Sequence, residues 1–489
     1  MKPVLLIFPG HPENMSAIPF SVVVLASYLR KHDIPVKILD TRVRGCKEIN
    51  YNDYCLIGIS AKSGEQLAFA VELCKKIREK CNVPLVWGGA HASFFPEQTC
   101  RSDLVDFVIK GEGEQTLLEL IRALDNNNGF EKIKGLIYKK KGIVVVNAER
   151  EFLDMDTLDI PAYDLININL YQDATQYFTI ETSRGCPHRC SFCYVHDFHK
   201  MKWRYKSLTK VFYEIKYIMD KYNTKKFTIC DDNFFVDKER VLDFCRGIIN
   251  KNIKIEIFAY ARANYFARYS FEELELIKDS GFKFIAIGAE SGSQRVLDFI
   301  HKDITKEDIL LSAKNCVKHG IIPVYSFIIG IPGEKKEDLE KTIDIYFKLK
   351  NISSKVEING FYVFTPYPGT PIFRKSIEWG YKPFDSLEGW ASWKFSDSSN
   401  LTWLNKSERF HLQVLSKLVQ FFFIKERFDS YGKEYKRKKL GSLLNLILWN
   451  LGSPVLNLIA KTRFKNKFFK LGYEWILLGH IALNKFKAT

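Results

Sequence analysis

The sequence predicts an α/β protein: a doubly wound parallel sheet, then a partial (β/α)6 barrel, then a helical C-terminal region. Three observations carry that prediction. Short apolar runs alternate with amphipathic stretches from the first residues onward, the order of parallel strands and crossover helices. A second β-then-α series resumes near residue 171. A hairpin and an extended linker separate the two series.

Residues 1–135 carry the first series. Residues 4–8, 36–39, 56–60, 85–88 and 105–109 are apolar runs bounded by turn residues and read as strands. Between them, 21–31, 65–80 and 114–124 place apolar residues at a 3.6 period and read as helices. A doubly wound sheet binds its ligands at the carboxyl ends of its strands. The turns there are Pro9-Gly10-His11-Pro12, Ser60-Ala61-Lys62-Ser63-Gly64, Gly88-Gly89-Ala90-His91 and Gly111-Glu112-Gly113-Glu114. Glycine lets a backbone approach a large ligand closely, although it also simply makes turns. Such a turn at each of four strand ends favours a ligand site.

Residues 136–170 read as a connector. Two apolar runs flank Lys139-Lys140-Lys141-Gly142, a hairpin signal, and Asp159-Ile160-Pro161-Ala162-Tyr163-Asp164 reads as extended linker. Residues 171–385 hold the second series, with strands at 179–182, 227–231, 256–260, 284–288, 324–329 and 357–364 and helices such as 208–222 and 272–280. Six parallel strands with crossover helices suit an open or partial barrel, whose chemistry lies at the carboxyl ends of the strands.

Directly after the first barrel strand comes Cys186-Pro187-His188-Arg189-Cys190-Ser191-Phe192-Cys193. Thiolates hold iron–sulfur clusters, and three of them can bind three irons of a 4Fe–4S cube while the fourth iron stays open to a ligand. The alternatives are structural cysteines or part of a zinc site, and zinc sites usually need a fourth ligand at recognisable spacing.

This CxxxCxxC loop resembles the central motif of the radical S-adenosylmethionine (SAM) enzymes, and residues 1–385 are similar to the group with an N-terminal, Rossmann-like cobalamin-binding domain. The resemblance implies that Cys186, Cys190 and Cys193 ligate the cluster. SAM would chelate the open iron, and its reductive cleavage would give a 5′-deoxyadenosyl radical that abstracts hydrogen. It also implies a set of SAM contacts. Phe192 fills the aromatic slot before the last cysteine, Asp231, Asp232 and Asn233 end the second strand, and Arg262 ends the third as a carboxylate partner. Glu290 and Ser291 look like the ribose-binding motif, and Gly330 and Pro332 like the adenine-side turn. Each has a plain alternative: helix caps for the aspartates, a structural ion pair for Arg262, an ordinary turn for 330–334.

For the N-terminal domain the resemblance implies cobalamin contacts at Pro9, Gly10, Ser60, Ser63, Gly88, Gly89, Gly111, Glu112 and Gly113. One departure stands out. Cobalamin domains that ligate cobalt from below carry DxHxxG after the first strand, whereas this chain has Pro9-Gly10-His11-Pro12-Glu13-Asn14. With no carboxylate to orient its imidazole, His11 reads as a loop residue and not as a cobalt ligand.

Length and composition set the remaining limits. The 489 residues suit about three domains, and 46% hydrophobic residues supply ample core. Eleven cysteines, scattered apart from the triplet, and no secretory apolar segment after Met1 favour a reducing, cytoplasmic setting. The net charge of +16 is lopsided, because residues 401–489 hold seventeen Lys and Arg against five Asp and Glu. In that tail, Phe421-Phe422-Phe423-Ile424 and the run 440–460, flanked by basic clusters, suggest a helix pair on an anionic membrane surface or a cap on the barrel. The tail is too aliphatic for a base-stacking surface, so no nucleic acid is expected.

The function implied is methyl transfer to an unactivated carbon of a small or lipid-like molecule, using a 4Fe–4S cluster, SAM, cobalamin and a flavodoxin- or ferredoxin-like electron donor. The alternative is a cyclisation, oxidation or carbon–carbon coupling without methyl transfer. RNA methylthiolation would need three further cluster cysteines in the N-terminal domain, and no cysteine precedes Cys46. A non-enzymatic cobalamin sensor would leave the cysteine triplet without a purpose.

Overall fold

A computed structural model describes residues 2–11, 17–43, 49–126, 129–175 and 177–416. The first sheet contains β1 (Val4–Phe8), β2 (Val36–Asp40), β3 (Leu56–Ser60), β4 (Leu85–Gly88), β5 (Phe107–Ile109), β6 (Leu136–Lys140) and β7 (Ile143–Val146). Their order is β2-β1-β3-β4-β5-β6-β7, with β1 to β5 parallel and the last two antiparallel. The hairpin expected as a connector is therefore part of the sheet itself. Its first strand pairs Leu136 with Ile109 and Tyr138 with Phe107.

Alternation along β1 shows why the strands are apolar throughout. Val4 and Leu6 pack on α1 (Phe20–Lys31) and α3 (Glu114–Asn126), while Leu5 and Ile7 pack on α2 (Glu65–Arg78) across the other face. The following segment is docked rather than free. Ala162 N–H donates to Val23 O at 3.0 Å, and the Tyr163 hydroxyl donates to Thr179 O at 2.8 Å.

The second sheet contains β8 (Phe178–Ile180), β9 (Lys226–Ile229), β10 (Glu256–Ala261), β11 (Phe282–Glu290), β12 (Ile322–Ile329) and β13 (Glu357–Val363). All pairs are parallel and neighbours follow chain order, as in a partial (β/α)6 barrel. The crossovers include α4 (Leu208–Tyr222), α5 (Lys238–Asn250), α6 (Phe271–Asp279), α7 (Lys306–Lys318) and α8 (Lys336–Ile352). Reciprocal capping boxes, Ser270 with Glu273 and Thr305 with Asp308, start α6 and α7.

After the barrel the chain returns to the first domain. Tyr381, Leu387, Trp390 and Trp393 join the core beneath α2, and Ser102 Oγ donates to Glu388 Oε1 at 2.6 Å. A helix over 406–416 then lays Leu412 and Leu415 on the barrel core. The apolar runs at 421–424 and 440–460 lie outside the described residues. Among those described, no helix is long and apolar enough to cross a membrane.

Candidate active site

The carboxyl ends of the two sheets face one another, and the site lies where they meet. On the barrel side, β8 leads through Glu181 and Thr182 to the cysteine loop. Gly185 opens the loop at φ 86°, and a Cβ there would lie 2.1 Å from Lys202 O, so only glycine fits. Cys193 closes it as the residue before the short helix Tyr194–Phe198.

Burial pushes the Cys186 thiol up and the Cys193 thiol up to about 12, so a thiolate at either position calls for a cation beside it. Among the described residues no three His, Cys, Asp or Glu form the ligand group of a metal ion. Thiolates that each take a different iron of a cluster have no need to converge on one point. Arg262 Nη1 donates to Cys190 Sγ at 3.2 Å, and Asn233 Nδ2 to Cys186 Sγ at 3.6 Å.

Several expected SAM contacts are already engaged. Asp231 accepts from Thr182 N, Thr182 Oγ1 and Ser183 Oγ, all at 2.6 Å, so it ties β9 to the end of β8. Ser291 is fully buried on Thr342 Oγ1 at 3.1 Å and holds α8 to the end of β11. Glu290 pairs with Lys302 at 2.8 Å, and Lys302 Nζ lies 5.6 Å above the Phe192 ring. Gly330 N–H donates to Glu334, whose burial pushes its pKa up to about 8.

The fit to SAM and a cluster rests on what these ties leave over. Asn233 Oδ1, Arg262 Nε, Ser191 Oγ and Glu334 Oε1 are buried without a hydrogen-bond partner in the protein. Buried polar atoms are nearly always satisfied, and here a ligand with amino, carboxylate and hydroxyl groups would satisfy them.

Between the sheets lies a cavity of about 320 Å³. Its N-terminal wall includes Ser60, Gly88, Gly89, Gly111, Glu112 and Gly113, and it extends between the sheet and α1 past Val22 and Leu25. A Cβ on Gly88 or Gly111 would meet nothing within 4 Å, so these glycines keep a cradle open. That suits a large flat cofactor with a tail reaching into the apolar slot. The structure does not bring Pro9, Gly10 or Ser63 into this wall. Gly10 is tied to Thr41 Oγ1 at 2.9 Å with its α-carbon against Arg42, and Ser63 Oγ is buried on His91 Nδ1 at 2.8 Å. His11 is an exposed loop residue, its ring edge-on to Phe69.

The barrel wall of the cavity holds residues that motif spacing missed: Glu181, Arg184, Tyr194, His199 and Cys230, beside the expected Asp232. A buried ion cluster joins the two walls. Arg184 reaches Glu112 at 3.3 Å, Glu114 at 2.8 Å and Glu181 at 3.0 Å, and Arg204 forks onto Glu112 at 2.6 and 3.1 Å. Burial would raise the Glu112 carboxyl, but Arg184 and Arg204 hold it below its usual range. Arg204 also donates to His199 Nδ1 at 3.3 Å. Burial lowers His199 to about 4, so the neutral ring keeps its proton on Nε2, 3.5 Å from Asp232. Burial raises Glu181 to about 7 and Asp232 to about 6.

Comparison with known proteins agrees with this geometry. Residues 15–121 match the B12 binding domain, and residues 180–345 match the Radical SAM superfamily. An uncharacterized methyltransferase of Pyrococcus horikoshii is 32% identical over 447 residues, covering 87% of this chain and 93% of the relative. This chain belongs to the radical SAM family that carries a B12-binding domain. The anaerobic magnesium-protoporphyrin IX monomethyl ester cyclase of Synechocystis is 29% identical over 231 residues, 46% of either chain. The solved structure of the cobalamin-dependent S-adenosylmethionine radical enzyme OxsB, with aqua-cobalamin and SAM bound, shares the fold at a TM-score of 0.68. It is 19% identical, and the match covers 99% of this radical SAM chain and 75% of OxsB. The cofactors of this family member are a 4Fe–4S cluster, SAM and cobalamin.

Proposed function

We propose that this enzyme is a cobalamin-dependent methyltransferase acting on an unactivated carbon of a small-molecule substrate. The observation that carries the proposal is the shared cavity, where the glycine turns of a B12-binding sheet face barrel residues on either side of the cysteine loop, Arg184 before it and Tyr194 after it. The methyltransferase relative, matched over 93% of its length, favours methyl transfer as the outcome. When bound, the cluster and SAM supply a carbon radical and cobalamin supplies a methyl group.

The chain's own residues have distinct tasks. Cys186, Cys190 and Cys193 hold the cluster, and Asn233 Oδ1 and Arg262 Nε offer an acceptor and a donor for the amino-acid end of SAM. Ser60, Gly88, Gly89, Gly111 and Gly113 shape the cobalamin cradle. The Arg184–Glu112–Arg204 cluster fixes the distance between the two walls, which reacting groups need to be held in line. Glu181 and Asp232, facing the cavity, offer hydrogen bonds to the substrate. The first electron comes from an external donor of the flavodoxin or ferredoxin kind. Association of the basic tail with a membrane surface, and with it a lipid-like substrate, is a separate proposal that liposome flotation of the intact protein tests.

Likeness to the cyclase, over less than half of its length, supports a second outcome, ring closure without methyl transfer. Anaerobic reconstitution with cobalamin and SAM separates the two. Methyl transfer predicts about four irons and about one cobalt per chain, with both 5′-deoxyadenosine and S-adenosylhomocysteine released. Release of 5′-deoxyadenosine alone would favour the second outcome, and absence of iron or cobalt would overturn both.

A further inference from the structure

A ring of hydrogen bonds closes around the first cluster cysteine. Asn233 Nδ2 donates to Cys186 Sγ at 3.6 Å and to the Tyr265 hydroxyl at 3.2 Å. That hydroxyl lies 2.6 Å from His188 Nε2, and the His188 backbone N–H donates back to Cys186. Directions follow from the donors. Asn233 spends both amide N–H groups, so the tyrosine oxygen accepts from it and passes its own proton toward His188 Nε2. At the second cysteine, Arg262 Nη1 points at Cys190 Sγ from 3.2 Å, while Nη2 is taken by the carbonyl oxygens of Lys302 and Asp303. Of its nitrogens only Nε has no partner, and both two-pronged grips a guanidinium can offer a carboxylate use Nη2, which is already taken. Asn233 and Arg262 are 3% and 5% exposed, so water does not share these contacts.

We infer that Asn233, held by Tyr265, and Arg262 are positioning residues that set the reduction potential of the cluster by donating to its thiolates. Hydrogen bonds to cluster sulfurs and nearby charge are known levers on potential. Reduction adds one negative charge to the cluster, and a buried cation or N–H dipole beside the sulfur favours that added charge. The consequence is a cluster more easily reduced by the external donor than bare burial would allow. The same arrangement leaves Asn233 Oδ1 facing away from the thiolate as an acceptor, so one side chain serves the cluster on one side and a ligand on the other.

The inference rests on the cluster assignment, and the test separates the two. The reconstituted protein, without substrate, is titrated potentiometrically with the reduced cluster read by electron paramagnetic resonance. Arg262→Gln is expected to lower the reduced-to-oxidised ratio at a fixed potential about tenfold, which is about 59 mV for a one-electron couple. Tyr265→Phe keeps the ring, frees Asn233 to turn, and is expected to lower the ratio two- to threefold, about 18 to 28 mV on the same scale. Asn233→Asp, the same shape with an acceptor in place of the donor, shifts the ratio the same way. Variants with full iron content and wild-type potentials would overturn the inference while leaving the cluster assignment intact. A wild-type protein that never assembles a cluster would overturn both. If Arg262→Gln fails to retain iron, Arg262→Lys and Tyr265→Phe decide the matter by the same titration.

Discussion

The two sheet ends that meet at the cavity are built by opposite means. At the strand ends of the first sheet the cavity is lined by Gly88, Gly111 and Gly113, and a Cβ on Gly88 or Gly111 would meet nothing within 4 Å. Strands of the barrel lead into Glu181, Asp231, Arg262 and Glu290, whose side chains are tied to Arg184, to Thr182 and Ser183, to Cys190 and to Lys302 in turn. On the proposed reading, one wall takes a cofactor by leaving room for it, and the other holds its ligands through charge, sulfur and a few polar atoms left unpaired. The two should therefore fail differently: the glycine wall when atoms are added, the barrel wall when atoms are removed.

Removal gives the largest effect. Cys190→Ala takes away one of the proposed cluster ligands and leaves Nη1 of Arg262, a residue 5% exposed, without the sulfur it donates to. Iron content is expected to fall to background and turnover with it, while cobalt content stays near wild type. Equal losses of iron and cobalt would show that the walls are not independent.

Addition is the complementary test. A Cβ at Gly88 would meet nothing within 4 Å and φ there is not positive, so Gly88→Leu should keep the backbone and put its side chain into the cradle. Cobalamin retention is expected to drop at least tenfold, about 1.4 kcal/mol or more, with iron unchanged. Cobalt content equal to wild type would place the cofactor elsewhere.

The ion cluster between the walls tests whether they are joined. Arg204→Met leaves Glu112, 8% exposed, with Arg184 as its remaining guanidinium. Breaking a buried pair from one side costs about 3 kcal/mol or more, read as a lower denaturant midpoint. Lys76→Ala breaks a pair whose side chains are both 62% exposed, and should stay within about 0.5 kcal/mol of wild type. If both variants behaved alike, the cluster would be a surface feature rather than a joint.

What sequence could reveal follows the range of the interactions. The cysteine loop and most strands were legible because spacing and apolar runs are local, and the glycine turns of the cavity wall were legible for the same reason. The hairpin's place in the sheet was not, since it depends on pairing Leu136 with Ile109. Arg204 and Glu112 stand 92 positions apart, and nothing local marks them as partners. Asp231 reads as a strand-end carboxylate, but its three hydroxyl and amide donors come from the neighbouring strand's end. Glu181 did carry a signal. It continues the parity of Thr179, the half-buried residue between buried Phe178 and Ile180, and so falls on the same side of the chain.

Glu181 also offers the subtlest way to sharpen the comparison, because it asks whether the barrel wall is charged. Burial raises its pKa to about 7, against the opposing pull of Arg184. An unfolded glutamate titrates near 4.3, so between those values the folded state binds the extra proton. Stability from this group is whole below about pH 4 and falls as pH rises toward 7. Glu181→Gln keeps the shape and stays neutral. Its stability relative to wild type should be near zero at pH 4.5 and rise by about 3 kcal/mol by pH 7.5, at roughly 1.4 kcal/mol per pKa unit. Chemical denaturation at the two pH values measures the difference. A variant that is instead destabilised, and more so at pH 7.5, would mean that Glu181 is an ordinary anion of the Arg184 cluster. The cavity would then meet its substrate with a charge rather than with a proton to share.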